Sequence, residues 1–245
     1  MWMWRELLCL KKIFNLRLIL AVGVFMTPFC FSAFAQSTNL YWVRYYNQLN
    51  FNAKWSWQNE IDERRSIQPD LQRQLIAHSY ANFKPNTKMD LATGITGSWV
   101  TNSSNLTIPE LRFFQSITSK VATMGKNEIN FRFRLEERFF HNTDSDKKYL
   151  TDGYHFKFRT RYRIQFQRVS NNKNWTVRLA DEIMYHTDHT DAWKFDQNRI
   201  YLGVERKLTR LLGLEVGYML LHSLSNDQIV YSNNLRTTLY HRISL

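Results

Sequence analysis

The sequence predicts an all-β fold: a transmembrane, antiparallel, up-and-down β-barrel of about 10–12 strands with a charged, arginine-rich lumen. Three observations carry this expectation. The first is alternation. Over Asn127–Phe140, Ile129, Phe131, Phe133 and Leu135 fall on one side of a strand, and Asn130, Arg132, Arg134, Glu136 and Arg138 on the other. Over Tyr154–Phe166 the same holds for Tyr154, Phe156, Phe158, Tyr162, Ile164 and Phe166 against His155, Lys157, Arg159, Arg161, Arg163 and Gln165. A period of two sends successive side chains to opposite faces of a strand, so these segments form a hairpin with one apolar and one cationic face. The second is length: each segment has about a dozen residues, long for a soluble strand and close to what a tilted strand needs to cross a bilayer. The third is residue choice. The cationic face is arginine with one lysine, Lys157, and guanidinium suits crowded bidentate pairing with carboxylates. A soluble barrel also alternates, with its apolar face inward. The arginine content, the long strands and the tryptophans near strand ends (Trp42, Trp55, Trp57, Trp99, Trp175 and Trp193) favour lipid outside.

The N-terminus reads as an export signal rather than as part of the barrel. Arg5, Lys11, Lys12 and Arg17 precede an apolar run, Leu18–Phe31, and Ala33-Phe34-Ala35 forms a small-x-small cleavage site. The expected organisation is a signal peptide at 1–35 and an outer-membrane barrel domain at 36–245. Removing the first 35 residues takes away four Lys/Arg and one Glu, so the net charge falls from +12 to +9. It also takes away both cysteines, Cys9 and Cys30, leaving no disulfide to stabilise an exported protein. Continuous inter-strand hydrogen bonding in a closed barrel can do so instead. A mean hydropathy of −0.45 is compatible with this, because polar lumen residues dilute the apolar ones.

Along the remainder, strands alternate with short turns and somewhat longer loops. The first strand is read at Leu40–Leu49, followed by a turn at Asn50–Asn52. Ala53–Arg65 carries Trp55, Trp57 and Ile61 on one face and Gln58, Glu60, Asp62 and Arg64 on the other. A loop with Pro69 leads to Gln72–Lys84, where alternation is weak. Pro85-Asn86-Thr87 reads as a turn, since Pro fixes φ and Asn tolerates turn geometry. Lys88–Thr101 has small inward candidates at Ala92, Gly94, Thr96 and Ser98. Ile108–Lys120 carries Glu110 and Arg112 and leads into the arginine-rich hairpin. Then come Asn174–Tyr185, Phe195–Leu208, Leu212–Leu221 and Ile229–Leu245, the last ending on an apolar residue as outer-membrane assembly signals do. The turns give about eleven strands. Bacterial single-chain barrels have even numbers, so the expectation is that one strand has been split or missed, near the N-terminus or in Gln72–Lys84.

Several motifs occur in order: Pro109-Glu110-Leu111-Arg112, Arg132-Phe133-Arg134-Leu135-Glu136-Glu137-Arg138-Phe139, Phe158-Arg159-Thr160-Arg161-Tyr162-Arg163, Asp181-Glu182, and Phe195-Asp196-Gln197-Asn198-Arg199. Together they resemble domain of unknown function 2490, a family of small bacterial outer-membrane barrels. The resemblance covers nearly all of the chain after residue 35. It implies a barrel in the outer membrane and supplies no activity.

The candidate functional feature is a lumen charge network: Arg112, Arg132, Arg134, Glu136, Arg138, Arg159, Arg161, Arg163, Arg178, Glu182, Arg199, Glu205, Glu215 and Arg236, with Glu60, Asp62 and Glu110 as further acidic partners. Two readings follow. One is a structural plug, since buried charge is tolerated when paired and hydrogen-bonded. The other is a narrow anion-preferring pore or solute-binding cavity, since basic rings in pores favour anions. The partners expected are outer-membrane lipid, the outer-membrane assembly machinery and a small anionic solute. Nucleic acid is excluded, because the arginines sit on strand faces of an exported chain. A third reading, a rim-active lipid hydrolase, rests on His222-Ser223-Leu224-Ser225-Asn226. Its His–Ser spacing is one residue too long for both to share a strand face. His186-Thr187-Asp188-His189-Thr190-Asp191 has metal-ligating residue types in a loop, but reads more simply as solvated rim. No catalytic residue, metal or cofactor is assigned.

Overall fold

A computed structural model describes residues 37–187, 192–225 and 228–245; the expected signal segment lies outside these. The described chain forms eleven strands: β1 (Ser37–Asn50), β2 (Trp55–Ser66), β3 (Leu71–Asn86), β4 (Met89–Thr101), β5 (Thr107–Met124), β6 (Asn127–Thr143), β7 (Leu150–Val169), β8 (Trp175–Thr187), β9 (Trp193–Lys207), β10 (Leu212–Ser225) and β11 (Gln228–Ser244). Each pairs with its neighbours in sequence, and β1 closes on β11 to make a barrel.

The even strand number expected from known bacterial barrels does not hold. With eleven strands alternating in direction, the first and last run the same way, so the closing pair must be parallel. β1 and β11 are indeed parallel, in unbroken register from Ser37 opposite Tyr231 to Asn50 opposite Ser244. Neither suspected segment was miscounted: β3 pairs along its length with β2 and β4.

Asparagine side chains build the turns at one end. Asn52 Oδ1 accepts hydrogen bonds from the backbone N–H of Lys54 (2.9 Å) and Trp55 (2.8 Å), and Asn86 Oδ1 accepts from Lys88 N–H (2.8 Å). Asn86 therefore ends β3 rather than sitting inside the turn as the Pro-Asn-Thr reading had it. Between β5 and β6 the chain reverses at Gly125, whose φ of +62° is a conformation that a side chain disfavours.

The faces are arranged with apolar side chains outward. Phe131, Tyr162 and Ile164 are 40%, 39% and 55% exposed, whereas Arg134, Arg138 and Arg159 on the opposite face are 9%, 7% and 8% exposed. Trp55, Trp57, Trp99, Trp175 and Trp193 all face out. Trp42 does not: it is buried inside, its ring 3.8 Å beneath the Arg64 guanidinium carbon. The interior is not purely polar. Ile76, Phe114 and Met184 are fully buried, and Trp42, Ala180, Tyr201 and Met219 pack together. The apolar inward residues of β3 (Ile76, Tyr80) and its small outward ones (Ala77, Ser79, Ala81) explain its weak alternation.

Candidate functional site

The lumen holds chains of arginine–carboxylate pairs. Period-two alternation places these side chains inside, and strand register decides which of them meet. Glu110 on β5 accepts two hydrogen bonds from Arg112, through Nε and Nη2, both 2.6 Å, and one from Arg138 Nε on β6 at 2.5 Å. Glu136 on β6 accepts from Arg161 Nη1 at 2.7 Å and has Arg159 Nη1 at 3.8 Å. Arg159 Nη2 also reaches Asp196 Oδ2 at 2.5 Å. Glu182 on β8 accepts from Arg161 Nη2 at 2.8 Å and from Arg132 Nη2 at 2.5 Å.

A second chain runs nearer the end where β11 finishes. Arg178 on β8 donates to Glu205 Oε2 at 2.5 Å and also to Glu215. Glu205 accepts from Arg242 Nη1 (2.6 Å), and Glu215 from Arg236 Nη2 (3.0 Å) and the Tyr201 hydroxyl (2.5 Å). Tyr201 fits because two glycines flank it: a Cβ on Gly203 or Gly217 would lie 2.3 or 2.2 Å from its hydroxyl oxygen. On the β1–β2 side, Glu60 accepts from Tyr80 Oη (2.5 Å) and Arg44 Nη1 (3.3 Å), while Arg64 pairs with Asp62 at 2.9 Å.

Eleven of the fourteen lumen residues read from the sequence thus enter ion pairs. The other three, Arg134, Arg163 and Arg199, have no carboxylate within ion-pair distance among the described residues. Arg134 stacks over Phe114, its guanidinium carbon 4.2 Å from the ring centroid, and its buried Nε has no hydrogen-bond partner there. Arg199 Nε donates to Gln197 at 2.9 Å, and Arg163 donates to Gln165. Arg163 stands opposite Glu182 in the β7–β8 register without reaching ion-pair distance, and Arg132 also lies close to it.

Sequence reasoning missed Arg44, Tyr201 and Asp196 as network members. Asp196 sits at a register irregularity between β8 and β9, where counting by twos fails. Asp181, adjacent to Glu182 in its motif, points outward, where Asn198 Nδ2 donates to it at 2.6 Å. His222 also lies on the outward face, with Tyr231 edge-on at 4.7 Å, so Ser223 takes the inward one. The Ser225 side chain and Asn226 of the hydrolase reading fall outside the described residues. So do Asp188, His189 and Asp191 of the loop, while His186 Nδ1 lies 3.4 Å from Asp196 Oδ1. Among the described residues no group of three or more His, Cys, Asp or Glu is placed to hold a metal ion.

A family model described as "Protein of unknown function (DUF2490)" matches residues 39–230, from near the start of β1 through β10 and into the first three residues of β11. The chain belongs to the DUF2490 family. No curated protein matches it. Among solved structures, two of OmpT from Vibrio cholerae are similar to this DUF2490 chain. The outer-membrane expressed form matches at a TM-score of 0.38 with 10% identity, and the in-vitro folded form at 0.37 with 12%. Each alignment covers 71% of this chain and 57% of the other, so the DUF2490 chain spans a little over half of those proteins' length.

Proposed function

We propose that this chain is an outer-membrane β-barrel, exported by its N-terminal segment and inserted by the outer-membrane assembly machinery, whose lumen prefers small anions. The location is supported by the outward apolar face. Soluble proteins rarely leave such large contiguous apolar surfaces in water, whereas a bilayer solvates them.

The observation that carries the anion preference is the set Arg134, Arg163 and Arg199. The lumen groups described above are thirteen arginines against eight carboxylates, and each of those carboxylates already holds an arginine at ion-pair distance, so positive charge is in excess inside a low-dielectric wall. The paired arginines hold the interior in shape, and Arg134, Arg163 and Arg199 are the part of that excess left outside the pairs. The test is planar-bilayer recording on purified protein across a KCl gradient. The reversal potential should lie on the chloride side, and R163E and R199E should each move it toward potassium. A wild-type barrel that passes no current, with R161E equally silent, removes the pore and leaves the charge network a structural plug.

A further inference from the structure

A distinct basin opens at the lumen mouth on the end where β11 finishes. It has a volume of about 240 Å3, and its charged lining is Lys173, Arg178, Glu205, Lys207, Arg210 and Arg242. Five cations surround a single carboxylate. Glu205 is buried, and it is already bound by Arg242 through two contacts (2.6 and 3.2 Å) and by Arg178 at 2.5 Å. It therefore fixes two guanidinium groups, Arg178 being shared as well with Glu215, and leaves the other three cations of the lining to a ligand. Among the described residues, Lys173, Lys207 and Arg210 have no carboxylate at ion-pair distance.

The basin is built rather than a chance meeting of surface lysines. Thr209 Oγ1 accepts from the backbone N–H groups of Leu211 (3.2 Å) and Leu212 (3.0 Å), which fixes the turn carrying Arg210. Arg242 N–H donates to Leu211 O at 2.8 Å, and Lys207 N–H to Asn174 O at 2.8 Å, joining the β9–β10 turn to β11 and to the β7–β8 turn. Gly213 leaves room for the Glu205 carboxylate: a Cβ there would stand 2.5 Å from Glu205 Oε1.

We propose that this basin binds a phosphate group. A carboxylate is satisfied by one guanidinium, whereas a phosphate or pyrophosphate presents several oxygens and more charge, which suits cations converging from three strands and two turns. Concave walls of one sign also concentrate such an anion at the mouth. The phosphate comes either from a soluble phosphorylated solute or from an anionic lipid headgroup. The site goes beyond the pore reading, because it would bind in a barrel that passes no current.

The test is calorimetric titration of the full chain in uncharged detergent with inorganic pyrophosphate. Saturable one-to-one binding is expected. The K207Q/R210Q variant should weaken it at least tenfold, and K54Q/K88Q, in the β1–β2 and β3–β4 turns of the same rim and outside the basin lining, should leave it unchanged. Should the double variant not fold, R210Q alone, at an exposed turn tip, should still weaken binding severalfold. A second arm uses nanodiscs of phosphatidylcholine with and without phosphatidic acid. If phosphatidic acid blocks pyrophosphate binding, the headgroup is the natural source; if not, a soluble solute is. Absence of saturable binding, or equal loss in K54Q/K88Q and K207Q/R210Q, overturns the proposal.

Discussion

Arg161 holds Glu136 and Glu182 at once: Nη1 lies 2.7 Å from Glu136 Oε1, and Nη2 lies 2.8 Å from Glu182 Oε2. One guanidinium on β7 thus ties β6 to β8 across its own strand. Removing one partner of a buried pair leaves uncompensated charge, which typically costs about 3 kcal/mol or more. R161M should therefore lower stability to urea by about that amount in lipid vesicles. The double change R161M/E136Q should recover part of the loss, because Glu182 keeps Arg132 and Arg159 keeps Asp196, so one charge of each sign is removed and none is left without an ion-pair partner. If the double variant is less stable than R161M alone, the pairing account fails.

The Tyr201 hydroxyl reaches Glu215 only because Gly203 and Gly217 leave space beneath the ring. G217A would force a methyl group to within 2.2 Å of that hydroxyl, and overpacking of this kind costs about 1–3 kcal/mol. The same change in a Y201S background meets no ring and should cost little. A double-mutant cycle on unfolding midpoints measures the difference. Equal costs in both backgrounds would show that the glycines serve the backbone rather than Tyr201.

Tryptophan placement tests which side meets lipid. Single-tryptophan variants retaining Trp55, Trp57, Trp99, Trp175 or Trp193 should be quenched by brominated phospholipid, since those rings face outward. A variant retaining only Trp42, which is 4% exposed and lies under Arg64, should not be. Strong quenching of Trp42, or none of the other five, would reverse the inside–outside assignment.

The sequence carries the local part of this arrangement and not the rest. Which face a residue takes is a local property of period two, so Phe131 and Arg134 could be placed from sequence alone. What a residue meets is not local. Arg178 finds Glu215 two strands away, through a register that no pattern encodes. Trp42 was misplaced because an indole near a strand end suits both an interfacial girdle and a cation–π seat beneath Arg64. Ile76, Phe114 and Met184 break the polar-inside rule because inward side chains also pack against one another: Phe114 lies under the Arg134 guanidinium and edge-on to Tyr80. The turns alone give eleven strands, but how an odd barrel closes is not a local property: it takes the parallel β1–β11 pair.

The loop joining β6 to β7 gives a pH prediction outside the spanning strands. Asp144 Oδ1 accepts from the backbone N–H of Lys148 (2.7 Å) and Tyr149 (2.8 Å), and these bonds hold its carboxyl below the usual aspartate range, Tyr149 contributing most. The loop also ties to its neighbour, through Asn102 Nδ2 donating to Lys147 O at 2.7 Å. A depressed pKa means that the folded loop favours the ionised form. Its contribution to loop order is complete above the ordinary aspartate value of about 3.9 and is lost as pH falls through the lower folded midpoint. The Tyr149 amide resonance should therefore titrate with a midpoint below that value. D144N should abolish the titration and speed exchange of the Lys148 and Tyr149 amides, while leaving exchange in β6 and β7 unchanged. A midpoint at or above the ordinary value would show that these hydrogen bonds do not form in the membrane-inserted barrel.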